Sequence, residues 1–231
     1  MTFFNSTQPI FRRKQEALDF QDLQGLLRLQ LRLKNTTLVS LAYTRIDQVF
    51  VVWGLITATI FITAQFAPIS WFTQGIWWTI LTIIGTGMTI ALTHFWVEVE
   101  RLRWVLYTWV VLMLAGVAIT DCGIFLGWGL VLMNLCNLWL GLCAIGYFCT
   151  GWGMRSRAFL LSGSLQLFGM AILPYFLGWQ FLITGIIMAA NLLIFAETQW
   201  DMRPPIQDYD LLTPEQRKFN RNQHQLRNYR T

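Results

Sequence analysis

From residue 49 onward the chain is a succession of six apolar runs, at 49–67, 72–93, 104–120, 126–148, 158–176 and 180–196, separated by short polar or turn-forming breaks. About 20 apolar residues cross roughly 30 Å of hydrocarbon as a helix, which satisfies its own backbone hydrogen bonds where no water is available. Each run therefore predicts a transmembrane helix. The last two together are too long for one crossing, and Pro174 with Gly178 supplies the break for a tight reversal. The pattern predicts an all-α integral membrane protein of six transmembrane helices, arranged as three parallel helical hairpins over residues 48–198.

The flanks read differently. Residues 1–47 hold no continuous apolar core, so no cleaved leader is expected there. Over residues 16–34, Leu23, Leu26, Leu27, Leu29, Leu31 and Leu33 cover a broad helical face opposite Gln24, Arg28 and Arg32. That face predicts an amphipathic helix lying in the membrane interface. Residues 27–34 also alternate strictly, as a strand does, and 37–44 could continue them after a turn at Asn35-Thr36. The helix is the favoured expectation, because Leu, Arg and Gln are good helix formers and an isolated hairpin has little stability. Residues 199–231 form a basic tail. Pro204-Pro205 stops any helix leaving the sixth span, and Thr213-Pro214-Glu215-Gln216 carries an N-cap, a first-turn Pro and a capping Gln. The helix that follows is polar all round, with Arg217, Lys218, Arg221, Arg227 and Arg230, and is expected to be mobile against lipid headgroups rather than docked.

Charge sets the orientation. All seventeen Lys and Arg fall in the two terminal segments, beside Arg101 and Arg103, or beside Arg155 and Arg157. Short basic loops stay on the cytoplasmic side, so both termini are expected in the cytoplasm of a bacterial inner membrane or an equivalent internal membrane. The net charge of +5 accompanies 55% hydrophobic and only 13% charged residues, with no soluble module to present a basic face to nucleic acid. The expected partners are the bilayer itself, anionic headgroups through Arg28, Arg32 and the tail, and other membrane subunits. Trp71, Trp128 and Trp179 fall at the uncharged turns and Trp53, Trp96, Trp104, Trp152 and Trp200 near the basic ends, as an aromatic belt requires. The sequence Phe125-Leu126-Gly127-Trp128 recurs as Phe176-Leu177-Gly178-Trp179, which reads as a loose repeat of one hairpin unit.

Polar residues inside the spans are the candidates for function, because each is costly there. Thr79, Thr82, Thr86, Thr89 and Thr93 step by three and four along one face of the second span. Asn134 and Asn137 with Gly141 do the same in the fourth span, and Ser162, Gln166 and Gly169 in the fifth. Such stripes let helices approach and bond across a seam, or line a polar pathway. Asp121 is expected to cap the end of the third helix at the water interface. His94 and Glu98 are neighbours at i and i+4 and are weak catalytic candidates; an ordinary charged loop, with Glu98 paired to a nearby Arg, looks the same.

Two ligands are too few for a metal, and a bis-histidine haem needs a second intramembrane His, so no cofactor is predicted. A single-ligand haem or pigment at His94 stays open as an alternative. Cys122, Cys136, Cys143 and Cys149 form no CxxC pair and read as packing residues. Hydrolase, zinc-protease and nucleotide-binding motifs are absent.

Three short-turn hairpins with small residues in the spans and Gly at the turns resemble, in layout, six-span stress-associated bacterial membrane proteins of the acid-resistance hairpin-repeat type. The resemblance assigns no functional residue. The expectation is a non-catalytic accessory, assembly or stress-related component of a larger membrane complex. A transporter or channel lined by the Thr and Asn stripes is the alternative, and a pigment or enzyme site at His94 a second one. An accessory protein predicts a closed seam along the stripes, and a conduit predicts a water-accessible cavity there.

Overall fold

The computed structural model of the 231-residue chain describes residues 3–4, 9–14, 17–33, 36–203 and 210–230, without the side chains of 29–41 and 228–230. Among the described residues, six helices are long and apolar enough to cross a membrane, as expected of a multi-pass membrane protein. In chain order the elements are β1 (Phe11–Arg12), α1 (Phe20–Leu23), β2 (Leu27–Leu33), β3 (Thr36–Tyr43), α2 (Arg45–Phe66), α3 (Trp71–Val99), α4 (Arg103–Phe125) and α5 (Gly129–Met133). They continue with α6 (Leu135–Met154), α7 (Arg157–Ile172, extended by a 3-10 turn to Tyr175), α8 (Gln180–Glu197), β4 (Gln199–Trp200) and α9 (Pro214–Arg230).

The long helices close into a ring: α2 packs on α3, α3 on α4, α4 on α6, α6 on α7, α7 on α8, and α8 back on α2. The most extensive contacts are α2 with α8 and α6 with α7, not those between helices joined by the uncharged turns. One end of the bundle gathers both terminal segments and the turns around Arg101 and Arg155; we call it the capped end. The far end holds the other turns, where Phe72 meets Phe125 with ring centroids 4.9 Å apart and Phe66 meets Trp179 at 6.2 Å. At 29 residues α3 is about 44 Å long, well beyond a hydrocarbon core of roughly 30 Å. Its surplus turns, with Trp96 and Glu98, reach into the cap.

Three expectations are corrected. Residues 27–43 form an antiparallel hairpin, β2 on β3, instead of an interfacial helix. Gly25 has φ of +69°, which ends α1 and turns the chain. The base of the hairpin is then held by the Gln48 amide, which donates to the Gly25 and Tyr43 carbonyls at 2.8 and 3.2 Å. These contacts with α2 supply what an isolated hairpin lacks. The turn at Asn35 lies outside the described residues.

The fourth span does not start at 126. The chain makes the short helix α5, breaks at Asn134, whose side-chain amide bonds back to the Leu130 carbonyl at 3.0 Å, and only then enters α6. The Gly of each Phe-Leu-Gly-Trp motif takes a positive φ, +66° at Gly127 and +82° at Gly178, so the repeated motif marks a repeated turn geometry.

The third correction is the tail. Its helix starts at the expected capping box: the Gln216 N–H donates to Thr213 Oγ1 at 3.3 Å and the Thr213 N–H to Gln216 Oε1 at 3.0 Å. It is docked, however. Asn220 is 1% exposed, accepts the Phe20 N–H at 2.7 Å and donates to Gln21 Oε1 at 3.0 Å.

Candidate functional site

The Thr stripe of α3 faces the interior of the ring. Thr79, Thr82, Thr86, Thr89 and Thr93 all line a cavity of ≈ 170 Å³ bounded chiefly by α2, α3, α4 and α6, with contributions from α7 and α8. Five indoles share its wall: Trp53, Trp78, Trp96, Trp109 and Trp139. Three of them are fixed by the hydroxyl of a Thr across the helix seam. Trp53 Nε1 donates to Thr89 at 2.8 Å, Trp109 to Thr150 at 2.9 Å and Trp139 to Thr120 at 3.2 Å. An indole carries one donor, so each of these bonds satisfies it completely.

The hydroxyl protons go elsewhere. Thr86, Thr89, Thr93 and Thr150 each donate to the carbonyl four residues back on their own helix, all at 2.8 Å. Free hydroxyls would make the stripe polar; these have been spent within the walls. What the chamber presents is largely aromatic and aliphatic surface. Beside the hydroxyls of Thr57 and Thr82, Gln166 is the largest unbonded polar group among the described lining residues. It lies on α7, is fully buried, lines the chamber, and neither its amide oxygen nor its nitrogen has a hydrogen-bond partner.

The other candidates lie apart from the chamber. Asn134 is exposed at the α5–α6 break, and Asn137 is half-buried with its amide oxygen unpartnered. Asp121 does not end its helix, which runs on to Phe125; it accepts the Thr79 hydroxyl at 2.9 Å and so ties α4 to α3 near the far end. His94 is 61% exposed along its side chain and 3.6 Å from Glu98, which in turn holds Arg103 at 2.6 Å. This is the ordinary charged-loop arrangement, outside the cavity wall. Among the described residues no three His, Cys, Asp or Glu side chains come together as a metal site would need.

Sequence reasoning missed the polar cap beneath the chamber. Trp96 links the two: its ring lines the cavity and its N–H donates to Asp22 Oδ1 at 2.9 Å. Burial, then the neighbouring Asp19 and Glu100 carboxylates, push Asp22 up to about 7, against the lowering effect of the Trp96 bond. Gln21 bridges α3 to the tail by donating to Glu100 Oε1 at 3.0 Å. Asp19 receives Arg227 at 2.5 Å and faces His224 at 3.1 Å, both from α9.

Asp201, 1% exposed, caps α7 from a distant segment. It accepts the backbone N–H groups of Arg157 and Ala158, the Ser156 hydroxyl, all at 3.0 Å, and the Arg157 side chain at 2.9 Å. Burial alone would raise its pKa, but these bonds bring the net shift below the usual carboxylate range. Tyr43 donates to Glu197 at 2.5 Å, which with burial pushes the phenol up to about 12. No single sequence motif announces this network, because its members are far apart in the chain.

No protein-family model matches the chain, and neither the curated proteins nor the solved structures offered a match.

Proposed function

We propose that this protein binds an apolar small molecule inside its six-helix bundle, with the capped end and both termini on the cytoplasmic side. One observation carries the reading: a chamber walled by five indoles, in which Thr86, Thr89, Thr93 and Thr150 give their hydroxyl protons to helix carbonyls and three of the indole N–H groups are taken up by Thr. An apolar guest gains by leaving lipid or water for such walls only through contact and shape, and gives up no hydrogen bonds. A hydrated ion or polar solute would surrender its shell to groups that are already bonded, at a cost of several kcal/mol or more. An accessory role predicts closed packing along the Thr stripe, and a conduit predicts a water-accessible cavity there. The seam is open, as a conduit requires, but its wall is chiefly aromatic and aliphatic and most of its Thr protons are bound, which favours an apolar guest over a hydrated one.

The confinement of Lys and Arg to the capped end supports its cytoplasmic placement. On this reading the exposed Arg28, with Arg32 four residues on in sequence, and the exposed Lys218 and Arg221 of α9 meet anionic headgroups. The three hairpins are then parallel units rather than the inverted repeats of many transporters.

Purified protein in nanodiscs, titrated with 4-bromotoluene, tests the proposal, because bromine quenches indole fluorescence on contact. Wild type should show a saturable quenching component above the linear one from bilayer-exposed Trp. Thr86→Phe and Thr82→Leu, which fill the chamber, should lose that component. Quenching that is linear and equal in all three proteins, or movement of a hydrophilic solute into liposomes by wild type, contradicts the reading.

A further inference from the structure

Gln166 is at the centre of its span, nine residues from Arg157 and nine from Tyr175, where bulk water does not reach. A primary amide offers two donors and two acceptor sites, and a buried one in a native structure is normally bonded. Here both ends are bare, the residue is fully buried, and it lines the chamber. The neighbouring polar side chain on the same helix does not help: Ser162 is bonded to Asn191 Oδ1 at 2.9 Å. A water in the chamber would need two to four polar partners to be held. With the protons of Thr86, Thr89, Thr93 and Thr150 bound within their own helices, the walls supply beyond Gln166 chiefly the hydroxyls of Thr57 on α2 and Thr82 on α3.

Size restricts the guest further. An apolar protein cavity of about 150 Å³ accommodates a single benzene-sized ring. The chamber, at ≈ 170 Å³, is matched to one ring or a short chain segment rather than a macrocycle.

We propose that Gln166 is the polar anchor of the chamber, and that the guest is a lipid-soluble molecule with a ring-sized apolar head bearing a hydroxyl or carbonyl oxygen. This rests on the chamber reading above. The aromatic wall holds the head by contact, and the amide of Gln166 bonds the oxygen. This polar point fixes orientation and separates oxygenated heads from hydrocarbons of the same shape.

The test compares 4-bromophenol with 4-bromotoluene, which differ by a hydroxyl in place of a methyl group, at equal concentrations in the nanodisc bilayer. One net hydrogen bond is worth roughly a two- to tenfold difference in affinity. Wild type should therefore show saturable Trp quenching at a several-fold lower concentration of the phenol. Gln166→Leu and Gln166→Met keep the volume and remove the anchor, so both should bind the two probes alike, and either variant suffices if the other fails to fold. Equal affinity for the two probes in wild type overturns the anchor and leaves the chamber standing. A preference for the phenol that survives in both variants overturns it as well. Saturable quenching by neither probe overturns the chamber and the anchor together.

Discussion

The chamber and the cap beneath it both bury polar groups, by opposite means. In the chamber the bonds are neutral and join neighbouring helices: Trp53 to Thr89, Trp109 to Thr150, Trp139 to Thr120, with Thr89 and Thr150 returning their protons to their own helices. In the cap the bonds are mostly charged and join remote parts of the chain. Asp201 serves α7 from 43 to 45 residues away, and Asn220 serves α1 from 199 and 200 away. A neutral pair that loses one partner leaves a single group unmet, at about 1–3 kcal/mol, whereas a carboxylate that holds several donors leaves them all unmet when it is removed. The chamber is thus built to tolerate variation in its walls, and the cap is built to hold the termini in one place. Trp96 belongs to both, ring in the chamber and N–H in the cap.

The sharpest way to break this contrast is Asp201→Ala. It strands the Arg157 and Ala158 N–H groups and the Ser156 hydroxyl and removes an ion pair to Arg157, and should destabilise the protein by about 3–5 kcal/mol. A fall in thermal unfolding temperature in detergent would register it, and an unchanged temperature would show that the cap is not a keystone. Asn220→Leu should cost about 2 kcal/mol, since the Phe20 N–H and the Gln21 carbonyl oxygen lose their partner. Its specific signature is faster hydrogen exchange across residues 214–230 with the six spans unaffected.

The acid titration of the cap is a smaller and separable effect. Asp22 keeps its proton in the folded protein to about pH 7, while an unfolded Asp releases it near the ordinary value of 3.8. Between these the unfolded state binds fewer protons, so the Asp22 contribution to stability is full below about pH 4, falls as pH rises to 7 and is flat above. Asp22→Asn should flatten that part of the stability profile and raise stability at pH 8. The Asp201 contribution runs the other way, since its lowered pKa stabilises at neutral pH and is lost in acid. Comparing the two variants' pH profiles separates them. The smallest change is expected in the chamber: Trp109→Phe removes one indole bond to Thr150 and should cost about 1 kcal/mol, with quenching by 4-bromotoluene retained.

The same contrast explains what could be read from the sequence. Spans follow from composition and length, which are local, and so does the Thr213–Gln216 capping box, whose partners are three residues apart. The spacing of the Thr stripe shows that it shares one face, and its five members do line one cavity. That Thr89 also takes up the Trp53 N–H across a seam, and that the Asn stripe of α6 is not part of the same wall, depends on how six helices pack.

The hairpin at 27–43 shows in the sequence as alternation, but Leu and Arg propensities favour a helix until the turn at Gly25 and the contacts with Gln48 are added. The docked tail was illegible for a plainer reason. A helix that is polar all round finds its place through Asn220, His224 and Arg227, and their partners Phe20, Gln21 and Asp19 lie at the other end of the chain.

The central claim is that the chamber receives an apolar ring. Crystals of the protein grown with 4-bromophenol, measured at the bromine absorption edge, test it most directly. One anomalous peak is expected, enclosed by Trp53, Trp109 and Trp139, with the phenol oxygen within hydrogen-bond distance of the Gln166 amide. A file of ordered waters through the same space, or side chains collapsed into it with no bromine, would contradict it.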